Sequence, residues 1–205
     1  MGQRSQSVSQ WPAQLANLLQ DTLHTRLTPG FRMADIASSR RLNELEFTIP
    51  AARLQARTLQ ALLDRHGQTI VLPSFDTLQG YLRGFIDLVF MHDERYYILD
   101  WKSNHLGYSA PDYSAPRVAQ AMAQNHYDLQ ALIYCCALHR YLKTRLSGYT
   151  HARHFGGSIY LFVRGVRPHW LDHDGSPCGV HQHRPSEALL DGLGVLLDPS
   201  STGAH

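Results

Sequence analysis

Two apolar runs, Gly84 to Met91 and Tyr96 to Lys102, flank a polar break at His92 to Arg95, and each run carries an acid, Asp87 and Asp100, where an apolar residue would be expected. Apolar runs of this length around a short polar break read as an antiparallel hairpin. With His92 to Arg95 as a four-residue loop, Met91 pairs with Tyr96, and counting back along the ladder sets Asp87 opposite Asp100. Directly opposed side chains share a face with Cβ atoms roughly 4.5–5.5 Å apart. Two carboxylates so close repel and call for a cation. Lys102, two residues past Asp100, projects to the same face because strand side chains alternate with period two. Two acids and an amine on one face suit a site that holds a divalent metal and presents it to a phosphate ester.

A plainer arrangement satisfies the same spacing: Asp87 caps a strand end and Asp100 forms a buried ion pair with Lys102. That pairing neutralises one carboxylate and leaves the other without a counter-charge. A buried unpaired charge costs several kcal/mol, so a metal or a water channel accounts better for both acids.

The 205 residues suffice for one domain with a single core, and a 43% hydrophobic content with 10% aromatics fits a globular protein. No run of 18 apolar residues occurs and Met1 to Gln10 is polar, so neither a membrane span nor a secretion signal is expected, and the reading is cytoplasmic. Cys135, Cys136 and Cys178 are odd in number and two are adjacent, which suits reduced thiols rather than disulfides. A net charge of +2 does not by itself argue for nucleic acid, although Arg40 with Arg41, Arg140 with Lys143 and Arg145, and Arg164 with Arg167 could meet phosphates. His169, His173, His181 and His183 gather around Cys178 but lack a Cys-x-x-Cys spacing, so a polar surface loop is expected there rather than zinc.

Along the chain the pattern predicts a helix over Trp11 to Leu27, stopped by Thr28-Pro29-Gly30, a strand over Arg41 to Pro50, and a helix over Ala51 to His66 ended by Gly67. After a connection from Val71 to Gln79 come strands at about Gly80 to Met91 and Tyr96 to Lys102. Ser109 to Pro116 reads as a loop, and Arg117 to Leu146, free of Pro and Gly, as one long helix or a broken pair. Gly157 to Arg164 is a further strand, Gly165 to Pro185 a loop, and Ser186 to Leu197 a helix opened by a serine cap. The sum is an α/β unit with a central mixed sheet flanked by helices.

Gly84-x-x-Asp87, a hairpin, then Leu99-Asp100-x-Lys102 resembles motifs of the PD-(D/E)XK nuclease superfamily, whose core is restriction-endonuclease-like. The surrounding residues Gly80 to Phe90 and Tyr96 to Asn104, with Tyr127 to Tyr134, Ala137 to Leu142 and His154 to Gly165, are similar in order and spacing to nuclease domains of the RecB type. The resemblance covers about Leu42 to Pro185. It implies Asp87 and Asp100 as ligands of magnesium, replaceable by manganese, with the backbone carbonyl of Trp101 as a further ligand, and Lys102 beside the attacking water. Glu46 takes the place of the upstream acid, and Gln130 and Tyr134, with Tyr127 one turn earlier, that of the Gln-x-x-x-Tyr motif. Residues 1–40 would then be a helical connection and 41–205 the nuclease domain.

The same resemblance implies exodeoxyribonuclease V-type hydrolysis of DNA in break processing and recombinational repair, with RecC-like and RecD-like subunits as partners and no membrane. Two departures qualify it. The upstream helix bearing a metal-ligating histidine is not found, His24 being a poor candidate, and no Gly-Lys-Ser/Thr loop of a helicase motor occurs. The other expectation kept open is therefore a weakly active or inactive module that binds DNA or docks subunits.

Overall fold

In a computed structural model of the chain, residues 11–27 and 30–198 are described. The order is α1 (Trp11–His24), β1 (Arg41–Gln55), α2 (Ala56–Arg65), β2 (Thr77–His92), β3 (Arg95–Lys102), α3 (Ala115–Gln124), α4 (Tyr127–Arg145), α5 (His151–His154), β4 (Phe155–Phe162), β5 (Val180–His183) and α6 (Glu187–Leu197). The strands make one sheet in the order β1-β2-β3-β4-β5, and β1–β2 and β2–β3 are antiparallel. With its flanking helices this is the α/β architecture expected of the sequence. No helix among the described residues is long and apolar enough to cross a membrane.

Several boundaries differ from the sequence pattern, each for a physical reason. Helix α1 ends at His24, and the stop at Thr28-Pro29 lies outside the described residues. Strand β1 runs through Pro50 to Gln55 because a register shift between Ala51 and Leu54 lets Leu54 and Gln55 pair with Leu78 and Thr77. Helix α2 therefore starts five residues later than its leucines suggest, and β2 three residues earlier. The long alanine-rich stretch is a broken pair: His126 sits in the left-handed region at φ 55°, and its Nδ1 lies 3.0 Å from the Val71 carbonyl oxygen. The stretch 165–185 is no simple loop, since it contains β5.

The hairpin loop holds two residues rather than four, because His92 itself pairs with Arg95. Asp93 and Glu94 both take positive φ, 46° and 61°, a turn that Asn-Gly usually fills. Side chains hold it instead. Arg153 donates to the Glu94 carboxylate at 2.9 Å, and His92 lies 3.2 Å from Asp93.

By contact the described residues gather into two units, one of residues 11–27, 30–37, 101–119 and 160–181, the other of 38–100, 120–159 and 182–198. In the second, α4 is buried around most of its circumference, from Ala131 through Leu142, against Leu59, Leu63, Ile86, Ile98, Phe155 and the leucines of α6. Ser186 caps α6 by accepting a hydrogen bond from the Leu189 N–H, and Lys143 and Arg145 close the last turn of α4 where the helix dipole favours cations. Cys135, Cys136 and Cys178 are free and buried, and burial pushes the thiols of Cys135 and Cys136 up to about 12 and about 11, which makes them inert packing. In the first unit Tyr113, Tyr160, Phe162 and Met33 are fully buried, and Tyr113 leaves no room for a side chain at Gly165.

Candidate active site

The hairpin register places the two acids. Pairs run from His92↔Arg95 through Phe90↔Tyr97 to Leu88↔Leu99, where the paired ladder ends, and the same register continued by one residue would bring Asp87 opposite Asp100. The four-residue and two-residue loops share this register, so the sequence count survives the change of turn. Asp87 is half-buried, and Asp100 is only 3% exposed.

Helix α4 brings two more polar groups to the same unit. Gln130 Nε2 donates to the Tyr134 hydroxyl at 3.0 Å, as the i, i+4 spacing allows. The Tyr134 phenol is raised above its ordinary value, first by burial, then by the negative charges of Asp100 and Asp87, while the Gln130 hydrogen bond works the other way. Both acids thus act on one phenol, and that phenol keeps its proton throughout the neutral range. With its oxygen accepting from Gln130, the phenol still has its own hydrogen to donate.

The Tyr134 ring stands edge-on to Phe47, with centroids 5.4 Å apart, beside Gly84. A Cβ at Gly84 would come 2.8 Å from the Phe47 ring and 3.3 Å from Tyr134. Gly84→Ala is expected to displace these rings, destabilising the chain by about 1–3 kcal/mol. A denaturant titration checks the stability, and restored packing in the double variant Gly84→Ala/Phe47→Leu checks the cause.

Strand β3 carries Lys102. Burial alternates along its end: Asp100 buried, Trp101 37% exposed, Lys102 8% exposed. The Lys102 ammonium lies 5.0 Å from the centre of the Tyr160 ring, and its carbonyl accepts from Val163 N–H at 3.0 Å, which fixes the strand end.

Glu46, the other acid singled out, is in β1 opposite Phe85, exposed and bound to Arg83, with Nε and Nη2 each 2.6 Å from Oε1. Glu44 went unnoticed in the sequence. It sits at the position the β1–β2 ladder skips, between the pairs Asn43↔Leu88 and Leu45↔Ile86. Its φ is +54°, a conformation that costs a residue with a side chain about 1–2 kcal/mol. Nothing in the sequence reveals this, because the β1–β2 connection is too long for the register to be counted. His24 Nδ1 lies 2.9 Å from the carbonyl oxygen of Gln20 in its own helix.

A second cluster was also missed. The possible ligand atoms of His139, Glu187 and Asp191 lie within 4.8 Å of one another. His139 is 1% exposed, with Nδ1 2.8 Å from the Tyr149 hydroxyl and Nε2 3.1 Å from Asp191, and Lys143 sits 2.6 Å from the same Asp191 oxygen. Burial works to raise the Asp191 pKa, and the hydrogen bonds from Lys143 and His139 bring it below the ordinary carboxylate value. With a lysine already on the carboxylate, the arrangement ties α4 to α6.

For a hard divalent ion the donor set at Asp87 and Asp100 fits: anionic oxygens on adjacent strands, one of them deeply buried, with no soft ligand among the residues placed there.

A sequence model of the PD-(D/E)XK nuclease superfamily matches residues 6–185 of this chain. The chain is 37% identical over 200 residues to RecBCD enzyme subunit RecB of Escherichia coli (strain K12), covering 95% of this chain and 16% of that protein. It is 39% identical over 187 residues to the subunit of the same name from Haemophilus influenzae, covering 87% and 15%. With that of Mycobacterium tuberculosis (strain CDC 1551 / Oshkosh) the identity is 36% over 219 residues, covering 93% and 20%. The chain thus spans a fifth or less of the length of these curated relatives.

Proposed function

This chain belongs to the PD-(D/E)XK nuclease superfamily, and on that footing we propose that it is a magnesium-dependent DNA nuclease domain that hydrolyses phosphodiester bonds during RecBCD-type processing of double-strand breaks. What supports this reading is the β2–β3 register, which continued one residue past Leu88↔Leu99 would bring Asp87 to Asp100, together with the closeness of both acids to Tyr134, whose phenol their charges help to raise. The nuclease domain is taken as residues 41–205, preceded by a helical connection, with RecC-like and RecD-like subunits as partners in a full complex.

In this reading Asp87 and Asp100 hold the metal, with the Trp101 carbonyl as a further ligand. Such an ion, when bound, polarises a phosphoryl oxygen and acidifies water. Lys102 contributes a positive charge beside the charge that develops on the phosphate, a role that needs no deprotonated amine. Tyr134, its oxygen held by Gln130, donates its hydroxyl hydrogen toward the acids and fixes their orientation. Glu46 acts at one remove, through its Arg83 partner. Attack by water in line with the leaving 3′ oxygen breaks the P–O3′ bond and gives a 5′-phosphate and a 3′-hydroxyl, one proton of the water passing to solvent and the 3′ oxygen taking one from solvent.

The reading is tested with the purified chain and end-labelled single-stranded DNA. Cleavage is expected with magnesium or manganese and should stop on adding excess EDTA and return with added metal. Cleavage that persists in EDTA would overturn metal dependence. DNA binding without turnover in either metal would instead favour the non-catalytic docking module.

A further inference from the structure

We propose that the loop after β3, residues 103–109, is a ledge on which a base of single-stranded DNA stacks, with the Tyr108 ring as its platform. The proposal deepens the nuclease reading and rests on it for the identity of the strand. Tyr108 is 91% exposed, so its ring gains almost nothing from the fold. The backbone beneath it is nevertheless held at Ser103, Leu106, Tyr108 and Ser109. Arg164 Nε donates to the Ser103 carbonyl at 2.9 Å, and the Leu106 N–H donates to the hydroxyl of the buried Tyr113 at 3.2 Å. The Asp112 carboxylate accepts from the N–H groups of Tyr108 and Ser109 at 3.0 and 2.9 Å and from the Ser109 hydroxyl at 2.7 Å. These bonds, the Ser109 hydroxyl first, keep Asp112 below the usual carboxylate range, so the clamp stays closed at neutral pH. Asp112 reaches this position because Gly107 has no side chain to obstruct it.

The exposed His105 ring supports Tyr108 from one side, in a T-shaped contact with centroids 4.6 Å apart. A flat ring, fixed in place and left in water, is what a nucleobase requires of a stacking partner, since every base presents a π-face regardless of sequence. The charge around the loop agrees with a polyanion. The exposed Arg164 stands at its start, its guanidinium held to the loop through the Ser103 carbonyl. An apolar partner would need more than one exposed ring among polar neighbours, and duplex DNA keeps its bases stacked on one another.

The test is fluorescence anisotropy of labelled oligothymidylate binding to the full chain, with calcium in place of magnesium to prevent cleavage, and duplex DNA of the same length as comparator. Tyr108→Ala is expected to weaken single-strand binding about 5- to 150-fold, equivalent to ~1–3 kcal/mol at 1.4 kcal/mol per decade. Duplex binding and the melting temperature should be unchanged, because the clamp bonds use the backbone N–H of residue 108. Tyr108→Phe should bind like the wild type. Equal affinity of Tyr108→Ala and wild type, equal loss with Phe and Ala, or no single-strand binding by the wild type would overturn the ledge. If the wild type cleaves DNA while Tyr108→Ala binds normally, the ledge fails and the nuclease stands. Ring-dependent binding without cleavage in magnesium has the opposite meaning.

Discussion

Asp100→Asn is expected to lower metal-dependent cleavage by about 10³-fold or more while leaving the fold intact. The substitution keeps the shape of a side chain that is only 3% exposed and removes one of the two charges proposed to hold the metal. If Asp100 is a metal ligand as proposed, its loss forfeits several kcal/mol of transition-state stabilisation, and each 1.36 kcal/mol is one decade in rate. Without metal the variant should melt at the same temperature as the wild type or higher, since a buried charge is replaced by a neutral amide of the same shape. Its Tyr134 phenol should also titrate lower, as the Asp100 charge contributes to the raised value. Lost activity with a markedly lower melting temperature would instead mean that Asp100 is a structural ion-pair partner.

Lys102→Met is the second large effect, with cleavage expected to fall by about 10²- to 10³-fold, the loss typical of removing one preorganised donor from a developing charge. Methionine replaces most of the stem, so the packing on Tyr160 is largely kept and only the cation–π part, roughly 0.5–2 kcal/mol, should appear as lost stability. Metal affinity should change little, which separates this variant from Asp100→Asn in a calorimeter. Lys102→Arg should rescue poorly, because a planar fork differs in reach and geometry from a compact ammonium. Full activity of Lys102→Met would remove the lysine from the chemistry and leave it as a core cation.

The parts of this chain that could be read without coordinates are those fixed by local counting. The β2–β3 register was legible because an antiparallel ladder is set by any one of its rungs, and Met91↔Tyr96 is enough. The Gln130–Tyr134 pair follows from helical spacing in the same way. What could not be read depends on distant residues. The tight turn at Asp93-Glu94 is held by Arg153, sixty residues away to the nearest ten, so its own residue types do not announce it. The break at His126 rests on Val71, and β5 is a short run of Val180, His181, Gln182 and His183, without the apolar alternation that marks a strand. Glu44 and the His139–Asp191 contact lie across registers and helix pairs that the sequence leaves undetermined. Glu46 stood out on motif grounds, yet its nearest charge is Arg83, a strand neighbour that only the β1–β2 register brings to it.

The most direct measurement is a calorimetric titration of manganese into the wild-type chain and into Asp100→Asn, in metal-free buffer at neutral pH. If the rung of Asp87 and Asp100 is the metal centre, the wild type binds the ion with saturable heat and the variant binds at least about tenfold more weakly, a loss of ~1.4 kcal/mol or more. Equal affinity in the two chains, or no binding by the wild type, would contradict it.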